Sequence, residues 1–465
     1  MSKFGRYLLA AVVICAIGVA VHKNYRQEQK IDTSYILAHS VLKDKTFASE
    51  VQQIETGGMK AYLLEEHSNP IIAVSFVFEN SGAAHEPENK LGLVSLLDKM
   101  LMNGAGRYDA LQFKDISEEY GVNLGFSADD DDIDGYLQMP TAGKDMAVEL
   151  LTSVLYKPHF TYDYIALTKN RIRTALRNTM VRPNGILADS FAEIMYAGHP
   201  YARTSADILK HIDGISRGDL LRYMRSHFTK ENIIIGIAGD ITATEAAKLI
   251  DDLFGRLPAR FEDKSVAEID MQTSGKNNYV ERDFPQTLTA FVSKGTKRNS
   301  ADFYPLYIAN HIFGGSGLSS RISKVIREEK GLTYGIYTYL SPKFTAPLLL
   351  GGFSSTPENF EKARSLLLEE WQKIATQGVN KEELELAKNA MISSHNLRFA
   401  STAGIADMLV AMQQYDLGAD FLEKRNDYVR AVTLEQVNTA AAKYYKTAPD
   451  FVIVGTKIQE TEEEK

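Results

Sequence analysis

The sequence predicts an α+β protein with two homologous α/β domains, which arose by internal duplication and follow an N-terminal signal or anchor. The main observation is that one order of elements occurs twice. In each half a strand is followed by a glycine, a polar turn and an amphipathic helix. The strand, the glycine and the helix are 73–78, Gly82 and 91–102 in the first half. In the second half they are 288–292, Gly295 and 303–313. The two glycines lie 213 residues apart. Six elements in the same order favour duplication over two unrelated α+β domains of similar length.

Each half then continues with two amphipathic helices and closes with an apolar strand. These elements are 144–156, 162–178 and 233–237 in the first half, and 360–376, 381–397 and 451–454 in the second. The hydrophobic pattern lapses in the polar stretch 260–277, which is therefore predicted to be a linker. The linker separates a first domain at 32–259 from a second domain at 278–460.

Composition narrows the class of protein. The chain has 465 residues, 44% of them hydrophobic and 24% charged, which is typical of a globular protein with more than one domain. Its formal net charge of -8 disfavours a nucleic-acid partner, because phosphate contacts require a basic surface. The single cysteine, Cys15, excludes an intramolecular disulfide and a zinc cluster of thiolates.

The N-terminus carries an export pattern. Lys3 and Arg6 precede an apolar run at 7–21, and small residues near its end suit a signal peptidase. Residues 1–31 are therefore predicted to be a signal peptide or a membrane anchor. We expect the rest of the chain to be periplasmic, or attached to the inner membrane through residues 7–21 and facing the periplasm.

A glycine-rich stretch in the second half is the first candidate site. Gly314, Gly315 and Gly317 predict a flexible loop, and the apolar spacing after them predicts a helix that ends at Arg327 and a strand that opens at Tyr334. Two long donor side chains at such a corner can grip a carbonyl group or an extended peptide. The alternative interpretation is a surface arginine and an ordinary strand tyrosine.

Four motifs give the chain a resemblance to the insulinase-like (M16) metallopeptidases, in particular to the short bacterial members. The motifs are Gly92-Leu93, Met100-Leu101 with Gly104, Gly198-His199-Pro200-Tyr201, and the stretch from Ser320-Arg321 through Arg327 and Gly331-Leu332-Thr333-Tyr334 to Tyr337. The resemblance implies two LuxS/metallopeptidase-like domains. It also implies that Arg327 and Tyr334 bind the substrate main chain and help to stabilise the reacting carbonyl.

The chain departs from the family where the metal should bind. Active members carry His-x-x-Glu-His on the first-half helix, and the matching positions here are Ser95, Asp98 and Lys99. The family's third ligand, a glutamate, falls on Leu176. Serine is a poor zinc ligand and a lysine ammonium repels the cation, so we expect no metal in this chain. The segment around Leu176 carries five cations instead, namely Lys169, Arg171, Arg173, Arg177 and Arg182.

An acidic run at 129–132, followed by Asp134, is the other conspicuous cluster. It lacks the ordered ligand pattern and the closing glutamate of a calcium loop. We expect a solvated acidic rim, with a surface that selects basic peptides as the alternative.

The resemblance implies a function for a chain that keeps Arg327 and Tyr334 but lacks the zinc motif. Some family members work as two different subunits, and the metal-free subunit donates the arginine and tyrosine. This chain is expected to be that subunit, acting on peptides or unfolded proteins with a partner that carries His-x-x-Glu-His and zinc. The alternatives are a structural core-type subunit, a periplasmic peptide-binding module, and an independent peptidase with relocated chemistry.

Overall fold

The computed structural model describes residues 50–261, 266–343, 345–396, 399 and 401–457. All of them belong to one structural unit. The predicted signal or anchor at 1–31 lies outside the described residues. Within the part of the chain that is described, no helix is both long enough and apolar enough to cross a membrane.

The first half contains a six-stranded sheet with the order β1-β2-β6-β3-β5-β4. Its strands are β1 (Gln52–Thr56), β2 (Met59–Glu65), β3 (Ile71–Phe78), β4 (Asn123–Ala128), β5 (Ile133–Pro140) and β6 (Ile233–Gly239). Only β2 and β6 pair in parallel; the other neighbours in this sheet are antiparallel.

The second half repeats this arrangement in a five-stranded sheet with the order β7-β11-β8-β10-β9. Its strands are β7 (Asn277–Glu281), β8 (Thr287–Lys294), β9 (Ile336–Pro342), β10 (Pro347–Ser355) and β11 (Asp450–Gly455). The pair β7 and β11 is parallel, as β2 and β6 are, and the other pairs are antiparallel. The common strand order and pairing confirm the predicted duplication.

The helices follow in corresponding order in the two halves. In the first half they are α1 (Leu93–Leu101), α2 (Ala110–Glu119), α3 (Lys144–Tyr156), α4 (Tyr162–Thr179), α5 (Pro183–Met195), α6 (Ser205–His211), α7 (Arg217–His227) and α8 (Ala243–Phe254). In the second half they are α9 (Phe303–Asn310), two π-helical segments (His311–Gly315 and Ser323–Glu329), α10 (Pro357–Gln377), α11 (Lys381–Asn396), α12 (Thr402–Gln414), α13 (Phe421–Ala431) and α14 (Leu434–Tyr444). Several 3-10 turns connect them.

One helix from each half crosses over to the sheet of the other half. Helix α12 packs on β2, β3 and β6, where Leu409 joins the buried Leu64 and Ala73 in one apolar cluster. Helix α5 packs on β8 and β11, and its Phe191 and Met195 contact a cluster around Val292. Each sheet is therefore covered on one face by its own helices and on the other by a helix of the opposite half.

A phenylalanine ring lies over a glycine of the neighbouring strand at equivalent places in both sheets. Phe76 on β3 pairs with Gly135 on β5, and Phe291 on β8 pairs with Gly351 on β10. A Cβ atom at Gly135 would lie 2.2 Å from the Phe76 ring, and one at Gly351 would lie 2.1 Å from the Phe291 ring. Both rings are fully buried, so neither has room to move aside.

We expect Gly135→Ala and Gly351→Ala each to lower the free energy of unfolding by about 1–3 kcal/mol, because the added methyl group overpacks a rigid core. Gly214→Ala is the matched control, since nothing lies within 4 Å of the position of its Cβ. Urea or thermal unfolding measures the difference. Equal stability of all three variants would contradict the prediction.

Candidate active site

Helix α1, the counterpart of the family's metal-binding helix, begins at a buried carboxylate. Glu86 accepts hydrogen bonds from the backbone N–H groups of Gly92 (2.9 Å) and Val94 (2.6 Å), and Arg203 Nη1 lies 3.0 Å from its Oε2. Unpaired N–H groups and the helix dipole at an N-terminus favour a negative charge there. Burial raises the pKa of Glu86, while Arg203 and the two N–H groups act in the opposite direction. The start of α1 is therefore firmly fixed.

The side chains at the family's metal positions do not form a zinc site. Ser95 and Asp98 are half-buried on α1, and Lys99 Nζ lies 3.4 Å from Asp98 Oδ2. Leu176 on α4 packs against the first-half core. A hydroxyl, an ammonium group and an alkyl chain do not fit zinc, which prefers imidazole, thiolate and carboxylate. Across the described ranges, no three His, Cys, Asp or Glu side chains are grouped so that they can hold a metal ion.

The structure of the glycine-rich stretch differs from the loop that the sequence predicted. Helix α9 runs on through a π-helical turn that contains Gly314 and Gly315. A Cβ at Gly314 would lie 2.3 Å from Thr338 Oγ1, and one at Gly315 would lie 2.9 Å from Asn310 Nδ2. The loop prediction is wrong for these two residues, since close packing in a helical turn requires glycine there. Of the three glycines in this stretch, only Gly317 has a left-handed backbone (φ 64°) and open space around it.

Arg327 and Tyr334 lie close together, although the boundaries around them differ from the prediction. Arg327 lies inside the helical segment Ser323–Glu329 and does not end it, and Tyr334 precedes β9 by two residues. The chain turns at Gly331, which has a φ of 65°. Arg327 Nε donates a hydrogen bond to the backbone oxygen of Tyr334 at 2.9 Å. Thr333 Oγ1 donates to the backbone oxygen of Ser354 at 2.6 Å and ties this segment to β10.

The two side chains leave donors available to a ligand. The Tyr334 side chain is 87% exposed, and in the described part of the chain its hydroxyl has no hydrogen-bond partner. The terminal amino groups of Arg327 likewise have no partner among the described residues. A phenol and a guanidinium thus lie beside one backbone segment, and their outer hydrogen-bond donors are not used by any described residue.

Two family models match the chain over most of the described residues. One, described as insulinase (peptidase family M16), matches residues 62–207. The other, described as the peptidase M16 inactive domain, matches residues 214–391. The chain belongs to the M16 peptidase family. It is an inactive-type M16 homologue in the sense that the residues predicted at the metal positions, Ser95, Asp98, Lys99 and Leu176, do not fit zinc.

Relatives of this M16 chain include a Helicobacter pylori protein named non-peptidase homolog YmxG, which is 21% identical over 83% of this chain and 89% of its own length. A Bacillus subtilis protein named uncharacterized zinc protease YmxG is 21% identical over 79% of this chain and 89% of its own length. Among solved structures, the M16 inactive domain from Pseudomonas fluorescens has a TM-score of 0.83 at 24% identity, covering 89% of this chain and 99% of that chain. The structural likeness shows a common fold.

Only part of the acidic run of this M16 chain is the solvated rim that we expected, since Asp129 and Asp134 are exposed whereas the residues at 130–132 are partly or fully buried. Its carboxylates contact residues of the second half, which are distant in sequence. Lys343 Nζ lies 2.5 Å from Asp130 Oδ2, and Asp131 accepts a hydrogen bond from Tyr201, whose hydroxyl also contacts Thr345. The run therefore forms part of the junction between the two halves. These contacts could not be predicted from the sequence, because the partners are far from the run along the chain.

Asp132 is the most deeply buried carboxylate of this junction. Its Oδ1 accepts from the backbone N–H of Asn80 (2.9 Å), and its Oδ2 accepts from Gln414 Nε2 on α12 (3.1 Å). The pKa of Asp132 is raised to about 8, mainly by burial and in part by the nearby carboxylates of Asp129, Asp131 and Glu79, whereas the N–H of Asn80 acts in the opposite direction. The folded protein therefore keeps this group protonated at neutral pH.

A zinc-binding test follows from the four metal positions. We expect the wild-type chain to purify without stoichiometric zinc, whereas the combined variant Ser95→His, Asp98→Glu, Lys99→His and Leu176→Glu should bind up to one zinc per chain. Metal analysis after dialysis measures both, and Ser95→His alone is the control. One tightly bound zinc per wild-type chain would contradict the assignment.

The raised pKa of Asp132 predicts a pH dependence of stability. The folded state binds one more proton than the unfolded state between the unfolded pKa of about 3.9 and the folded pKa of about 8, so stability falls as pH rises through this window. We expect Asp132→Asn to remove much of this slope, so that the variant melts several degrees above the wild type near pH 9 but not near pH 4.

Asp115→Asn is the matched control, because Asp115 is an exposed carboxylate on α2. A smaller slope comes from Asp134, which is partly exposed but whose pKa is raised to about 6 by desolvation and by the carboxylates of Asp129 and Asp407. This slope is common to all three proteins. Thermal midpoints measured across this pH range decide the question. An Asp132→Asn variant with the wild-type slope would show that the group is ionised in the folded protein.

Proposed function

We propose that this M16 chain is the metal-free subunit of a heteromeric zinc metallopeptidase and that it donates Arg327 and Tyr334 to the substrate. The observation that carries the proposal is a contrast within one chain. The residues at the metal positions do not fit zinc, yet the Arg327–Tyr334 corner is held in place with its donors available. We further propose that the partner is an M16 subunit with His-x-x-Glu-His and that the pair works in the periplasm or at the inner membrane.

The geometry suggests a role for each donor. The bound zinc of the partner would supply the activated water that attacks the peptide carbonyl. In this chain, Tyr334 donates a hydrogen bond from its hydroxyl to the carbonyl oxygen as negative charge develops there. Arg327 holds the Tyr334 backbone through Nε and presents its terminal amino groups to the substrate main chain. The substrate is an extended peptide or a segment of an unfolded protein.

A periplasmic peptide-binding module is the second candidate function. The observation that favours it is an outermost strand, β9, that begins next to Tyr334 and has no further strand beside it among the described residues. Such an edge accepts an extended peptide by main-chain pairing without any catalytic partner.

We expect Tyr334→Phe and Arg327→Ala each to lower peptide turnover by the assembled complex by roughly 10- to 1000-fold, because each removes a hydrogen bond made in the transition state. Tyr162→Phe is the matched control, since it removes a hydroxyl from a side chain that is 79% exposed on α4. Turnover is measured with a co-purified M16 subunit that carries the zinc motif, and assembly is checked by size-exclusion chromatography.

Three results are informative. Loss of turnover in an intact complex supports donation of the two residues. Unchanged turnover in an intact complex overturns it. Peptide binding by the isolated chain, combined with failure to activate any zinc-bearing M16 subunit, favours the peptide-binding module.

A further inference from the structure

Two tyrosines on β9 form an exposed aromatic surface, which we call the tyrosine strip and define as Tyr337 and Tyr339. Their side chains are 53% and 49% exposed. The rings are nearly parallel, at an angle of 21°, and their centroids are 6.3 Å apart. The alternate residues Ile336 and Thr338 are buried on the opposite face of the strand. The strip is thus a regular two-residue pattern that leaves large aromatic side chains on the solvent side.

The position of the strip at the end of a sheet makes it a suitable binding surface. Strand β9 is the outermost strand in its sheet order, with β10 on one side and no strand on the other among the described residues. Edge strands usually carry charges or prolines that prevent pairing with other chains. In β9 the only proline, Pro342, is the last residue of the strand, so the segment that carries the two tyrosines remains able to pair. Adjacent exposed aromatic rings on such an edge increase the tendency to bind another extended segment.

The underlying strand supports the orientation of the first ring. Tyr337 pairs with Gly352 on β10, and a Cβ at that glycine would lie 3.2 Å from the Tyr337 hydroxyl. The ring therefore lies across the glycine, where a larger residue would displace it. Tyr339 stands next along the same face, and Tyr334 lies three residues before Tyr337. The strip continues directly from the proposed substrate-binding corner.

The tyrosine strip has the same repeat as the side chains on one face of an extended peptide. Side chains on one face of an extended peptide recur about every 6.6 to 6.8 Å, which is close to the 6.3 Å between the two ring centroids. A peptide paired with β9 would place every second side chain beside one tyrosine. Aromatic side chains gain most from this placement, through stacked or edge-to-face contacts.

We propose that the tyrosine strip binds an extended peptide and selects aromatic side chains at alternate positions. This inference rests on the proposed function, in which peptides approach Arg327 and Tyr334, and it adds the substrate class. The strip acts on peptide affinity and not on the chemical step, because neither ring is part of the donor pair. A second copy of this chain, paired edge to edge, is the competing occupant.

The test measures peptide binding to the isolated chain, so it requires neither zinc nor a partner subunit. Two fluorescent peptides of equal length carry Phe or Leu at alternate positions with Thr between, and fluorescence anisotropy gives the two dissociation constants. We expect the Phe peptide to bind more tightly. The double variant Tyr337→Ser, Tyr339→Ser should weaken it by about 5- to 150-fold through loss of two aromatic contacts. The Leu peptide should be affected much less.

Two controls isolate the effect of the rings. Tyr162→Ser removes an exposed tyrosine from another surface and should leave both affinities unchanged. The double variant Tyr337→Phe, Tyr339→Phe keeps both rings and should retain the preference for the Phe peptide. It also provides a well-packed variant if the serine variant unfolds.

The results separate this inference from the proposed function. The strip proposal would be overturned if the isolated chain bound no peptide or bound both peptides equally. It would also be overturned if the double variant lost affinity equally for both peptides. A wild-type dimer in sedimentation that dissociates in the double variant would identify the strip as a self-interface and also overturn it. Aromatic selectivity in the isolated chain, together with unchanged turnover in Tyr334→Phe, would support the strip and overturn only the donated-residue proposal.

Discussion

The structure depends on one constraint: the central strands of the two sheets are apolar on both faces, and both faces must be covered there. Strands β6 and β11 lie inside their sheets and are buried along nearly their whole length. The helices of one half cover only one face of their own sheet, so α5 and α12 complete the burial by crossing to the other half. The contact is close, since a Cβ at Gly236 on β6 would lie 2.3 Å from the backbone oxygen of Ala406 on α12. The duplication is thus an interlocked pair and not two independent domains.

The same division of faces explains how the M16 fold persists without the metal residues. Helix α1 buries Leu93, Leu96, Leu97, Met100 and Leu101 against the first-half core. The three motif positions on this helix, 95, 98 and 99, fall on its other face at helical spacing. Burial of the apolar face provides the stabilising free energy, whereas the outward face contributes little to it. Loss of the metal ligands therefore removes zinc chemistry at little cost to the fold.

Much of the fold follows from local pattern, and the exceptions arise from long-range contacts. The repeated strands and the helices α3, α4, α10 and α11 were predicted because hydrophobic periodicity determines them locally. The helical packing of Gly314 was not predicted, since it depends on Thr338 of a strand further along the chain. Part of the acidic run was misinterpreted for the same reason. Its partners Lys343 and Gln414 belong to the second half, and sequence proximity gives no indication of either.

The retained corner differs from an ordinary surface turn in how firmly its backbone is held. Leu332 N–H donates to Ile326 O at 3.0 Å, Arg327 holds the oxygen of Tyr334, and Thr333 is tied to β10. A tyrosine that only covered a sheet surface would need none of these contacts. A fixed backbone with an exposed donor is the condition for electrostatic preorganisation, because little free energy is then needed to bring the donor to the position in which it acts. Tyr337 and Tyr339 follow Tyr334 in the same segment, so the backbone sets their distance from the Tyr334 hydroxyl. A peptide bound to the tyrosine strip is therefore also aligned with Tyr334.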